Sequence, residues 1–192
     1  MELPVSVLSR VTATLENEGI RYVLVGSFAS SIHGMYRSTA DIDILAEIKL
    51  EQVRPLFEAL RDSFYLDEPT MRNAVTQGGS FNAIHFESVF KVDFFTSRSD
   101  EFTVAQLDRG ELRRISPESP ESVYVATVED TILAKLRWYR AGQETSSTQW
   151  TDVIGMIRTP RTNLDLQYLH TWSNRLGLTD LLQKALDEAR ED

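Results

Sequence analysis

The sequence predicts a mixed α/β (α+β) fold: a mixed sheet flanked by helices, followed by a helical C-terminal part. Three observations carry this. Apolar runs of strand length recur before residue 116, separated by stretches with helical spacing. A polar segment bounded by prolines, Pro117–Pro120, interrupts the chain. Beyond it the apolar residues recur almost wholly at helical intervals. The expected division is a core over 1–116 and a helical part over 117–192 packed on it.

Residues 4–18 read as a first helix, with Val5, Leu8, Val11 and Leu15 on one face and Gly19 as the stop. Arg21 to Val25 is a short strand whose unbroken apolar run suits burial on both faces. A short helix is expected over Phe28–His33, ending at Gly34, and a second strand over Asp41–Ala46. Glu51–Leu60 is amphipathic, and residues 66–80, polar and closing on Gly78-Gly79, are expected to be a loop. Strands Phe81–Phe86 and Val89–Phe95 make a hairpin through Glu87-Ser88. A short helix over Glu101–Leu107 and strands Leu112–Ile115 and Val123–Ala126 complete the mixed region. Helices are expected over 128–139, 150–157, 164–175 and 178–190, with Thr127 and Thr179 as candidate N-caps.

Composition narrows the function. The chain has 192 residues, 42% of them hydrophobic, which suffices for a core without staples. It has no cysteine, which removes disulfides, zinc–thiolate sites and a thiol nucleophile. Charges at Glu2, Arg10, Glu16 and Glu18 break any signal-peptide core, and no apolar run is long enough to span a membrane. The expected location is the cytoplasm. A net charge of −9 disfavours a broad, non-specific nucleic-acid footprint, though Arg109, Arg113 and Arg114, and Lys135, Arg137 and Arg140, are local basic groups.

The chemistry is concentrated in acids on strands. Asp41 and Asp43 alternate with Ile42 and Ile44, so the two carboxylates share a face, roughly 6.6 Å apart along the strand. Asp93 is a lone acid among Phe90, Val92, Phe94 and Phe95, where an uncompensated carboxylate is costly. If the two strands are neighbours, three carboxylates converge, enough to hold two hard divalent cations for in-line phosphoryl chemistry. Gly26 and Ser27, at the turn after the first strand, offer close backbone approach and a hydroxyl for phosphates. The competing reading has the acids capping loops or pairing with Arg21, Arg37 or Lys91. His33 is read as structural, and His85 as a side chain that could face the cleft. The aromatic residues Trp138, Tyr139, Trp150 and Trp172 are read as core rather than as base-stacking platforms.

Gly26-Ser27, thirteen intervening residues, then Asp41-Ile42-Asp43, resembles the signature of the DNA polymerase β-like nucleotidyltransferase superfamily. The longer string from Tyr22 to Leu45, with Thr127-Val128-Glu129-Asp130, Lys135-Leu136 and Asp152 downstream, is similar to minimal bacterial nucleotidyltransferases of the AbiEii toxin type. The resemblance spans residues 20–157. Ser27 stands where many relatives have a second glycine, and the tail after residue 160 matches no motif.

The resemblance implies that Ser27 contacts the triphosphate and that Asp41 and Asp43 bind Mg²⁺, with two ions expected. Asp93 would be the third carboxylate and candidate base. Lys135 would steady nucleotide phosphates and Asp152 would orient it. The implied reaction moves an NMP from an NTP to an acceptor hydroxyl on tRNA or protein, and an antitoxin partner is implied with it. A small-molecule acceptor is a further option on this fold. The alternatives are a non-catalytic toxin–antitoxin component that acts by binding, and a metal-dependent phosphohydrolase.

Overall fold

The computed structural model describes residues 4–34, 41–96, 100–115, 121–159 and 163–191. Arg37 and the segment Pro117–Pro120 lie outside them. The chain forms two compact units, residues 1–28 with 38–126, and residues 29–37 with 127–192.

The first unit is built on one sheet. Its strands are β1 (Arg21–Val25), β2 (Asp41–Glu47), β3 (Phe64–Tyr65), β4 (Ser80–His85), β5 (Lys91–Phe95), β6 (Glu111–Arg114) and β7 (Ser122–Val125). Their spatial order is β3-β4-β5-β2-β1-β7-β6. β2 lies at the centre, antiparallel to β1 and parallel to β5. That place explains its sequence: Ile42 and Ile44 are fully buried, while Asp41 and Asp43, which alternate with them, are not. The unit reaches Ala126, beyond the proline segment, because β7 pairs parallel with β1 and the Ala126 N–H donates to the Leu24 carbonyl.

Helix α1 (Pro4–Asn17) turns Leu8, Val11 and Leu15 into the core, each fully buried. Helix α2 (Gly26–Ile32) begins directly at the end of β1, two residues before the expected start. A turn of 3-10 helix (Leu50–Gln52) leads into α3 (Val53–Leu60).

The expected loop over 66–80 is largely helix α4 (Glu68–Gln77), and its local chemistry shows why. Asp67 caps it by accepting from the Thr70 N–H at 2.9 Å, and Pro69 sits in the first turn. Gly78 closes it in the left-handed conformation at φ 72°. Met71, Ala74 and Val75 bury one face. The glycine pair marks the stop of a helix rather than a loop. Strand β3, which pairs with β4 through Phe64 and His85, is too short to carry a periodic signal. Helix α5 (Glu101–Arg109) is capped by Asp100.

The second unit contains α6 (Val128–Ala141), α7 (Ser147–Arg158), α8 (Leu166–Leu176) and α9 (Thr179–Arg190). Thr127 caps α6, with its hydroxyl accepting from the Asp130 N–H at 3.2 Å and donating to the Asp130 carboxylate at 2.9 Å. Thr179 is not a cap: Leu178 holds that position and makes no side-chain capping bond. Trp138 is 60% exposed, contrary to the expectation of a core residue, whereas Tyr139 is buried. No helix among the described residues is long and apolar enough to cross a membrane.

Candidate active site

The parallel register of β2 and β5 pairs Asp41 with Lys91 and Asp43 with Asp93. Residues paired in register project to the same face, so the sheet brings Asp41, Asp43, Asp93 and Lys91 together. The alternation that sends Ile42, Val92 and Phe94 into the core sends these four the other way.

Gly26 adopts φ +65°, and a Cβ there would overlap the Asp43 Oδ2 and lie 2.7 Å from its Cγ. The glycine is needed because the Asp43 carboxyl packs against the backbone at the end of β1, where Val25 is the register partner of Asp43. The Ser27 backbone N–H donates to that same carboxyl. The close approach read from the sequence therefore serves a side chain of the site itself. Gly26→Ala combines a left-handed backbone with overpacking, at an expected cost of roughly 2–4 kcal/mol. Chemical denaturation checks this, and a midpoint equal to wild type would remove the steric argument.

Electrostatically the site gathers negative charge. Burial, then the neighbouring charges of Asp93 and Asp41, push the Asp43 carboxyl up to about 6 against the opposing Ser27 N–H and Lys91. The Lys91 ammonium lies 2.8 Å from Asp93 Oδ2 and 3.7 Å from Asp41 Oδ1. Its hydrogen bond to Asp93 raises its own pKa, and burial only partly opposes this. Of the competing ion pairs, Lys91 makes its pairing. Arg21 instead binds Glu47 and Asp108, each at 2.8 Å.

Three carboxylates on one face are the hard oxygen donors that Mg²⁺ takes, and the raised Asp43 carboxyl reflects first its burial and then the charges of Asp93 and Asp41. The Lys91 ammonium stands in for a cation between two of them. Among the described residues, no three acids or histidines converge closely enough to form a finished metal cage as they stand. Asp41, Asp43 and Asp93 are the residues that would hold a divalent cation.

His85 does not face a cleft. It is 2% exposed, its Nδ1 meets the Ser88 Oγ at 2.9 Å, and its ring packs edge-on against Phe64 at 5.1 Å. Its role is to hold the β4–β5 turn. In the second unit, the Lys135 Nζ donates to Asp152 Oδ2 at 2.8 Å and to Gln149 Oε1 at 3.1 Å. Both charged side chains are 4% exposed. Gln149 is not legible in the sequence, because a glutamine on a polar helix face carries no signal of its own. Lys91 was legible only as a counter-charge. Its place two residues before Asp93 was the available clue to a shared face.

No family model matches the chain, and no curated protein matches it in sequence. Solved structures do match it in fold. One is LnuA, a lincosamide antibiotic adenylyltransferase solved with lincomycin bound. It is 14% identical with a TM-score of 0.50, over 79% of this chain and 94% of that one. An antigenic nucleotidyltransferase-like protein from Paracoccidioides brasiliensis is 16% identical with a TM-score of 0.56, over 95% and 91%. JHP933 from Helicobacter pylori is 14% identical with a TM-score of 0.53, over 97% and 92%. The likeness establishes the fold: a mixed α/β nucleotidyltransferase fold around a seven-stranded sheet.

Proposed function

We propose that this protein is a Mg²⁺-dependent nucleotidyltransferase that moves an NMP from an NTP to an acceptor hydroxyl. The observation that carries the reading is the β2–β5 register, which sets Asp43 beside Asp93 and Asp41 on the same face, within a fold shared with an adenylyltransferase. A pure binding module has no need of three acids held together at the cost of a raised carboxyl.

Asp41, Asp43 and Asp93 would hold Mg²⁺, which supplies charge neutralisation at the α-phosphate and lowers the pKa of the attacking hydroxyl. Asp93 is the candidate base for the acceptor proton. The acceptor oxygen forms its bond to the α-phosphorus, the bond between the α- and β-phosphates breaks, and pyrophosphate leaves. Ser27 would contact the triphosphate through its hydroxyl, as the resemblance implies, while its backbone N–H donates to Asp43. A phosphohydrolase would share the acids but would have no use for a triphosphate contact at Ser27.

The finer reading, drawn from the AbiEii-type resemblance, makes tRNA or a protein the acceptor and adds an antitoxin partner. A second reading takes a small-molecule hydroxyl. The net charge of −9 favours it over an RNA acceptor, as does the lincomycin bound by LnuA. Incubation of the protein with each α-labelled NTP and Mg²⁺ separates them, using total RNA, lysate protein and a panel of lincosamides and aminoglycosides as acceptors. Transfer of label to one class identifies the acceptor. Release of NMP with no labelled acceptor would favour hydrolysis, and no turnover of any NTP would leave only the binding role.

A further inference from the structure

We propose that the Lys91 ammonium is the resident occupant of the cation position in the carboxylate site, and that a divalent cation enters by displacing it. This rests on the nucleotidyltransferase reading of the site and adds a residue to it. The register sets Lys91 directly beside Asp41 on the neighbouring strand and two residues before Asp93 on its own. Its Nζ reaches both acids, at 2.8 Å to Asp93 and 3.7 Å to Asp41, between the two outer carboxylates of the cluster. A cation shared by these carboxylates would need that space.

The side chain is suited to withdrawal. Lys91 is 37% exposed, against 22% for Asp93, so its flexible four-carbon stem can carry the charge out to water. An ammonium also has three donors and no fixed fork, so it leaves one geometry without breaking a bidentate pair. While it stays, it offsets part of the negative charge of the cluster, which limits repulsion in the metal-free protein. The other described basic residue weighed as a partner for these acids, Arg21, is engaged by Glu47 and Asp108. Lys91 is therefore a positioning residue with two opposite effects: it steadies the empty site and opposes filling it.

That opposition supplies the test. Lys91→Met keeps the length of the stem and removes the charge. Calorimetric titration with Mg²⁺, and with Mn²⁺ as a paramagnetic probe, is run on wild type, Lys91→Met, Lys91→Arg and Asp43→Asn, with melting of the metal-free proteins alongside. Lys91→Met is expected to bind both cations about two- to fivefold more tightly, the range a partly exposed ion pair supports. Its metal-free melting temperature is expected to fall below wild type, with the gap closing as metal is added. Lys91→Arg is expected to resemble wild type, and Asp43→Asn to lose affinity. A purely structural Lys91, or one that only contacts phosphate, would not tighten binding of the bare cation. If wild type binds metal and Lys91→Met binds it equally or more weakly, the Lys91 assignment is overturned and the metal site stands. If neither wild type nor Lys91→Met binds a divalent cation, the metal site and the Lys91 assignment are overturned together.

Discussion

Asp43→Asn is expected to leave a folded protein whose rate of NMP transfer is lower by about 10³-fold or more, the scale on which pre-organised charge stabilisation acts. Asp43 is the register partner of Asp93 and stands two residues from Asp41, so no other acid can take its place between them. Phosphoryl transfer depends on positioning and charge neutralisation, and little residual rate would survive if Asp43, as proposed, is the central metal ligand and is made neutral. Stability is expected to move the other way. The folded state holds the Asp43 proton up to about pH 6, whereas an unfolded aspartate releases it near about 4. The contribution of this group is therefore fully present below the unfolded value and is lost as pH rises through about 6. Asparagine carries no such penalty and can still accept the Ser27 N–H. At pH 8 in a chelator the variant should be more stable than wild type by roughly 1–2 kcal/mol, after allowing for water at the partly open site, and at pH 4 the two should coincide. Melting at both pH values, beside labelled transfer to whichever acceptor wild type uses, reads both effects. Full activity in a folded variant would show that these acids are not the reacting centre. A variant less stable at pH 8 would show that the raised carboxyl is misread.

The carboxylate face was legible because strands write their geometry with a period of two. Asp41 and Asp43 alternating with Ile42 and Ile44, and Asp93 between Val92 and Phe94, each declare a polar side on a buried strand. That the two strands are adjacent and in register is a long-range fact, and no local pattern encodes that Asp43 falls opposite Asp93 rather than opposite Val92. Helix α4 was hidden for a different reason. Its buried face consists of Met71, Ala74 and Val75 only, and the remaining residues are polar, so the surface composition resembled a loop while the cap and stop residues carried the information. His85 was ambiguous because a histidine on a strand can face either way, and the Ser88 hydroxyl that fixes it lies in the turn.

Lys135→Met is the substitution expected to cost the most stability, about 3–5 kcal/mol, because it strands a buried charge. The Lys135 ammonium and Asp152 carboxylate meet at 2.8 Å with each side chain 4% exposed. They lie on α6 and α7, so this pair ties two helices of the second unit together, with the Gln149 amide oxygen accepting another ammonium proton. Removing the cation takes the ammonium away from the carboxylate of Asp152, a residue that is 2% exposed overall. Removing both charges with Lys135→Met and Asp152→Leu should recover most of the loss, since neither desolvation cost then remains. The resemblance read in the sequence would give Lys135 a second duty toward nucleotide phosphates, and the double variant tests it. Denaturant unfolding measures the stability of each single variant and of the double, and calorimetry with a non-hydrolysable NTP measures binding. A double variant that is stable but has lost NTP affinity shows that the lysine serves both the helix pair and the nucleotide. A double variant that binds NTP as wild type does confines Lys135 to the helix pair. A Lys135→Met protein within about 1 kcal/mol of wild type would mean that the pair is solvated in solution, and the cost argued from burial would not stand.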